Sequence, residues 1–271
     1  MEKGTKIGQG YTAEVYARSE KEIVKLFHQH IPDFIVDFEF SVSKAVEETQ
    51  LPVPKVLERV EAEGRQAIVY ERITGPSMLQ TISSKPWRVS REARKLAELH
   101  ASIHTKEVDV LPSQREMLER NIRLAEGLMD DKKAFILGIL SRLPDDSKLC
   151  HGDFHPGNIL LSPKGPVLID WCTGTKGNPA ADAARTVLLL SHASVPPGTP
   201  AIIRRLINFS RSRLCNTYIT HYCKLSGIST GQLQEWELPL TAARLIEWIP
   251  PVEKTRLLGH IDELMLAASH S

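Results

Sequence analysis

The chain has 271 residues, 42% of them hydrophobic and 25% charged, with a formal net charge of +1. Length and composition suit one large domain or two lobes around a sizeable core, and the near balance of charge argues against a nucleic-acid partner. No apolar run approaches the roughly 18–20 residues of a membrane span. The N-terminal stretch MEKGTKIGQG lacks the apolar core of an export signal. Cys150, Cys172, Cys215 and Cys223 form no C-x-x-C pair and read as reduced thiols of a cytoplasmic protein.

In chain order, the first third reads as strands. TKIGQGYTAEVYAR alternates around a glycine turn, and KEIVKLF is rich in β-branched and aromatic residues. From Asp33 to about Thr49 the period becomes helical, with Ile35, Phe38, Val42, Ala45 and Val46 in phase. Pro52 and Pro54 then force extended chain. RQAIVYERITG is a further buried strand, punctuated by Gly75-Pro76. SREARKLAELHASIHT places Leu96, Leu99, His100 and Ile103 on one stripe, with Ser90 as its candidate cap. Two more helical patterns span residues 113–129 and 132–143. NILLS and PVLID are short strands. Beyond Pro179 the pattern is helical, with starts near Asn178-Pro179, near Thr199-Pro200 and at Ser229, where Gln232 completes a capping box. The expected organisation is a small strand-rich lobe over residues 1–74 and a larger helical lobe over 75–271.

The chemistry concentrates in HGDFHPGNILLSPKGPVLIDWCTG. Asn158 lies five residues after Asp153, and Asp170 seventeen after it. A strand–turn–strand hairpin brings Asn158 and Asp170 side by side, and two oxygen ligands there suit Mg²⁺. Asp153 at the loop mouth can orient a hydroxyl and accept its proton. A transition-metal site at His151, Asp153 and His155 is the competing reading, but it needs further ligands and leaves Asp170 without a role.

These residues resemble the catalytic and metal-binding loops of the protein-kinase-like superfamily, nearest the aminoglycoside phosphotransferase/choline kinase branch with its H-G-D-x-x-x-x-N loop. Asp170, Trp171, Gly177, Pro179 and Asp182 match the D-W-x-x-x-x-x-G-x-P-x-x-D segment of that branch, and LAELHASIH is similar to its preceding helix. The resemblance implies an α+β, two-lobed kinase-like fold with a β-rich N-lobe. It makes Asp153 the catalytic aspartate, Asn158 and Asp170 the Mg²⁺ ligands, and His151 a brace for the loop. Gly8 and Gly10 would let backbone amides approach phosphates, although Ala13 stands where a third glycine belongs. Lys25, mid-strand among apolar residues, would meet the nucleotide phosphates. Its partner would be Glu39 on the next helix, with Glu47 and Glu48 competing from the helix end. The backbones of Glu71 and Ile73 would hold the purine edge, with Ile7, Val15 and Val24 as apolar walls.

The implied activity is transfer of the γ-phosphoryl of ATP, with GTP as the alternative donor, to a hydroxyl of a small molecule: an amino alcohol, a sugar-like compound or an aminoglycoside-like acceptor. The segment after Asp170 is too short for the activation segment of a regulated protein kinase. A nucleotide-binding regulatory module on the same fold is the competing class. From Val187 onward eight Lys/Arg face six Asp/Glu, a balance that does not favour a polycationic acceptor. Arg244, Glu247, Trp236 and Trp248 lie in the late helices, where this branch builds its acceptor pocket; core packing is the other reading of both tryptophans. Asp182 and Arg185 read as a structural pair or a brace for the metal loop.

Overall fold

The computed structural model describes residues 4–192 and 200–268. Through its first part the chain runs β1 (Thr5–Gln9), β2 (Ala13–Ala17), β3 (Glu22–Phe27), α1 (Asp33–Glu47), β4 (Val56–Ala62), β5 (Arg65–Glu71) and α2 (Met78–Ser84). Next come α3 (Val89–Ile103), α4 (Gln114–Leu124), α5 (Asp130–Leu140), β6 (Lys148–Cys150), β7 (Ile159–Ser162), β8 (Gly165–Leu168) and β9 (Thr175–Gly177). The last helices are α6 (Pro179–His192), α7 (Ala201–Ser226), α8 (Thr230–Glu235), α9 (Glu237–Ala243) and α10 (Pro251–Ala268). Two compact units result. One holds the described residues through Ser83 together with Pro156–Gly174; the other holds Ser84–His155 and the described residues from Thr175 onward.

The first unit is built on an antiparallel sheet in the order β1-β2-β3-β5-β4. Alternation along β3 sorts its side chains. Phe27 and Ile23 pack with Val36, Ile68 and Tyr70, whereas Val24 and Leu26 pack with Ala67 and Val69. Lys25 therefore shares the face of Ile23 and Phe27, the side that α1 covers. Val24 points to the opposite face, so it is no wall of a site built around Lys25. The buried stripe of α1 is Val36, Glu39, Val42, Ser43 and Val46, which places Glu39 on the stripe itself. The β7/β8 hairpin belongs to the same unit: Leu168 N–H donates to the Pro52 carbonyl at 2.7 Å and Leu161 N–H to that of Pro76 at 2.9 Å.

In the second unit α3 lies along α7. Ala93 and Ala97 are fully buried on α3, and their small side chains permit close approach. Paired residues advance together on the two helices, His100 with Tyr218 and His104 with Tyr222, so the helices run parallel. The short pairing of β6 with β9 and the helix α2 left no periodic signal of their own. Ser90 is not the cap of α3: the helix begins at Val89, after a 3₁₀ turn at Pro86–Arg88, and the Ser90 hydroxyl accepts from Arg213 at 2.7 Å. The capping box at Ser229 and Gln232 is present. Thr199, in the expected start of α7, lies outside the described residues.

Candidate active site

In the first unit, three elements converge on Lys25. Its Nζ donates to Glu39 Oε1 at 2.6 Å and to Asp170 Oδ1 at 3.0 Å. Burial works against the ammonium, but Asp170 and Glu39 outweigh it and hold the Lys25 pKa well above its ordinary value. Lys25 is thus a fixed cation. The Tyr70 hydroxyl donates to the same Glu39 oxygen at 3.1 Å, a contact no motif announced. Glu47, by contrast, accepts from Lys44 and from the Val56 amide, which removes it as the lysine's partner.

Asn158 and Asp170 flank the β7/β8 hairpin. Ile159 pairs with Leu168, and Ile169 N–H donates to the Asn158 carbonyl at 3.0 Å, so both residues stand at the same end of the ribbon. Asp170 sits at φ 66°, a left-handed conformation that costs a non-glycine residue of order 1 kcal/mol and recurs at functional positions. Carboxylate and amide oxygens at neighbouring strand ends fit a hard divalent cation. Glu39, Asp170 and Cys172 also offer grouped ligand atoms, but the Lys25 ammonium sits at Glu39 Oε1 and Asp170 Oδ1, so a cation at the hairpin end would have to take the other Asp170 oxygen. Gly8 lies in β1 opposite Val15, and Gly10 N–H closes the turn onto the Ala13 carbonyl at 2.8 Å. Glu71 N–H donates to the Lys55 carbonyl at 2.9 Å, which commits that amide. Ile73 follows β5 in the segment without regular structure.

The loop after β6 belongs to the second unit, and its backbone is bonded at nearly every step. The N–H groups of His151 and Gly152 donate to the Asp182 carboxylate at 2.7 and 2.8 Å. Gly152 adopts φ 76°, which a side chain would strain. Its carbonyl accepts from Arg185 Nε at 3.2 Å, Asp153 N–H donates to His151 Nδ1 at 3.3 Å, and the Phe154 carbonyl accepts from Thr186 at 2.9 Å. What remains projecting is the Asp153 side chain, 28% exposed, with His155 Nε2 3.5 Å from its Oδ2. Burial opposes its charge, yet His155, Arg185 and His151 outweigh it and hold the Asp153 carboxyl well below the usual carboxylate range. Asp153 is an ionised acceptor at neutral pH.

Asp182 is the hub beneath this loop, and Arg185 is not its partner. One Asp182 oxygen accepts from His100 Nε2 at 3.0 Å, from His104 Nε2 at 3.2 Å and from the His151 amide. Both Nε2 atoms must therefore carry their protons, and each Nδ1 lies 2.7 Å from a tyrosine hydroxyl, Tyr218 for His100 and Tyr222 for His104; the Tyr222 hydroxyl also donates to the Pro179 carbonyl at 3.3 Å. His100, His104 and Asp182 are spaced as metal ligands, but every nitrogen of the two rings already has a hydrogen-bond partner, Nε2 at Asp182 and Nδ1 at a tyrosine hydroxyl. The i, i+4 spacing of both pairs was the available sequence signal.

Burial, with His104 adding to it, pushes the His100 pKa down to about 4, against the pull of Asp182. In the unfolded chain the ring titrates at its ordinary value near 6.5. As pH falls from about 6.5 toward 4, the unfolded state takes up a proton the native state refuses, and stability drops by up to about 3 kcal/mol. Denaturant unfolding across this window checks it: His100→Asn should flatten the slope, and an unchanged slope would assign the acid sensitivity elsewhere.

The phosphotransferase enzyme family matches this chain over residues 3–215. The chain belongs to that family. It is 30% identical over 130 residues to an aminoglycoside 3'-phosphotransferase of Streptomyces fradiae, a stretch covering 42% of this chain and 48% of that enzyme. The chain thus spans about half the length of this curated relative. Among solved structures, a thermostable mutant of aminoglycoside phosphotransferase APH(4)-Ia, in ternary complex with AMP-PNP and hygromycin B, is similar with a TM-score of 0.68 at 14% identity, covering 98% of this chain and 94% of that one. The amicoumacin kinase hAmiN, complexed with AMP-PNP, Ca²⁺ and Ami, gives 0.61 at 13%, with 97% and 87% covered. The streptomycin-ATP-APH(2")-IIa ternary complex gives 0.59 at 16%, with 95% and 90% covered. These likenesses establish the kinase-like fold of the family member. Among the described residues no helix is long and apolar enough to cross a membrane.

Proposed function

We propose that this family member moves the γ-phosphoryl group of ATP to a hydroxyl of a small molecule in the cytoplasm. The observation that carries the reading is the Lys25 ammonium held by Glu39 and Asp170, a fixed cation of the kind that phosphates require. In this reading residues 1–74 form the nucleotide-binding lobe and residues 75–271 carry the catalytic loop and the acceptor site. The backbone around Gly8 and Gly10 approaches the phosphates, with the Gly10 amide itself held by the Ala13 carbonyl, and Ile73 with the carbonyl of Glu71 meets the purine edge; GTP in place of ATP is compatible with such backbone recognition. Asn158 and Asp170 hold Mg²⁺, which supplies charge neutralisation of the phosphate oxygens when bound.

Asp153 performs the acceptor-side work. Its carboxylate accepts the hydrogen bond of the incoming hydroxyl and fixes the attacking oxygen's direction. Because its pKa is low, it takes the proton late, as the new P–O bond develops rather than before. None of Cys150, Cys172, Cys215 and Cys223 takes part in a disulfide, which fits a reducing compartment.

ADP release measured against a panel of alcohols tests the function. Lys25→Ala is expected to raise the nucleotide KM and lower turnover, together by about 10²-fold or more in kcat/KM. It also leaves Glu39, only 2% exposed, without its counter-charge, a loss of about 3–5 kcal/mol of stability. Nucleotide binding with no acceptor-dependent ADP release would instead make the chain a regulatory module.

A further inference from the structure

We infer that the acceptor is an uncharged polyhydroxy compound, and not a polycation. The inference rests on the phosphotransfer reading above and concerns the surroundings of Asp153 within the second unit. The Gly152 carbonyl, one residue before Asp153, is held by Arg185. Arg185 also donates from Nη2 to Glu247 Oε1 at 2.5 Å, and the other oxygen of Glu247 accepts from Arg244 at 2.9 Å. Arg244 continues to Glu253 at 2.7 Å. The result is an alternating chain of two guanidiniums and two carboxylates that starts at the catalytic loop and ends in the first turn of α10. Glu247 leaves 33% of its side chain exposed, and the adjacent Trp248 is 55% exposed.

This arrangement suits neither sign of net charge. A polycation needs carboxylates without counter-charges, but both oxygens of Glu247 already face guanidiniums. An arriving ammonium would lie beside two like charges in a partly dry setting, where such juxtaposition is costly. An anion meets the mirror problem, because Arg185 and Arg244 are each opposed by carboxylates. Hydroxyl groups avoid both conflicts. They donate to the remaining lone pairs of an ion-paired carboxylate and accept from a guanidinium without displacing either partner. The exposed Trp248 indole offers an apolar face for the C–H side of a sugar-type ring.

The test uses the purified chain with Mg·ATP and three acceptor sets: monosaccharides and cyclitols, hydroxy acids, and the aminoglycosides kanamycin and streptomycin. An uncharged acceptor is expected to exceed every aminoglycoside by about 100-fold or more in kcat/KM, a ratio typical of pocket discrimination. Its KM should hold constant between about 50 and 200 mM salt, since screening has no charge to act on. Calorimetry on Asp153→Ala adds an arm without turnover. Micromolar binding of an aminoglycoside there, or turnover of an aminoglycoside or a hydroxy acid at least equal to the best uncharged acceptor, overturns the inference and leaves phosphotransfer standing. If no acceptor of any set raises ADP release above that of Asp153→Ala, phosphotransfer itself falls, and this inference with it.

Discussion

Asp153→Ala is expected to lower kcat by about 10²–10⁴-fold, the range spanned by positioned proton acceptors. Nucleotide affinity should stay within a few-fold of the parent, because Lys25, Glu39, Asn158 and Asp170 all belong to the other compact unit. The loop should also survive the change, since its hydrogen bonds run through the backbone of residues 151–154 to Asp182, Arg185 and Thr186. Asp153→Asn separates orientation from proton acceptance: the amide preserves the shape and loses the charge. A similar fall in kcat with little change in acceptor KM would assign the effect to the carboxylate. Because the Asp153 pKa lies well below the usual range, kcat should show no Asp153-dependent rise between pH 5 and 8. Activity carried by this group is present above its native pKa and is lost only as pH falls through it. Retention of near-parental turnover by Asp153→Ala would remove this residue from the mechanism.

The second large effect is expected at Asp182. Asp182→Ala strips the acceptor from two buried imidazole N–H groups and from the amides of His151 and Gly152. Each buried donor left without a partner costs about 1–3 kcal/mol, and loss of a buried ionic hub falls at about 3–5 kcal/mol after relaxation. For a chain of this size the midpoint of thermal unfolding should drop by about 10 °C. Turnover should fall with it, because Gly152 needs its anchor to hold φ 76° and present Asp153. Asp182→Asn recovers only part of the loss, since its NH₂ group points a donor at donors. A shift under about 2 °C in Asp182→Ala would show that the hub carries little of the fold's stability.

Several expectations were readable because they depend on short stretches of chain. The β7/β8 hairpin has few residues to close, so the juxtaposition of Asn158 and Asp170 follows from local turn chemistry and strand pairing. The capping box at Ser229 is local in the same way. The apparent cap at Ser90 misled because the preceding 3₁₀ turn at Pro86–Arg88 already brings the chain into helical geometry, leaving the serine inside the first turn. For Glu39 the periodicity of α1 narrowed the choice to a helix face, and packing of that face on β3 completed it.

What the sequence determined by itself is the inventory of chemistry and its local order: an aspartate at a loop mouth, two oxygen-bearing side chains at the ends of one hairpin, and a lysine on a buried strand. What only the tertiary structure decided is which distant groups complete them. Lys25 meets Asp170 across 145 residues, and His100 meets Asp182 across 82 and Tyr218 across 118. Helical periodicity states which side chains are buried, not which buried side chains meet. That second choice depends on how parallel helices such as α3 and α7 register against each other, and the register is fixed by packing of small residues and by the need of every buried polar atom for a partner. The Arg185–Glu247–Arg244–Glu253 chain arises the same way, so the charge balance beside Asp153 became visible only once the late helices were folded against the loop.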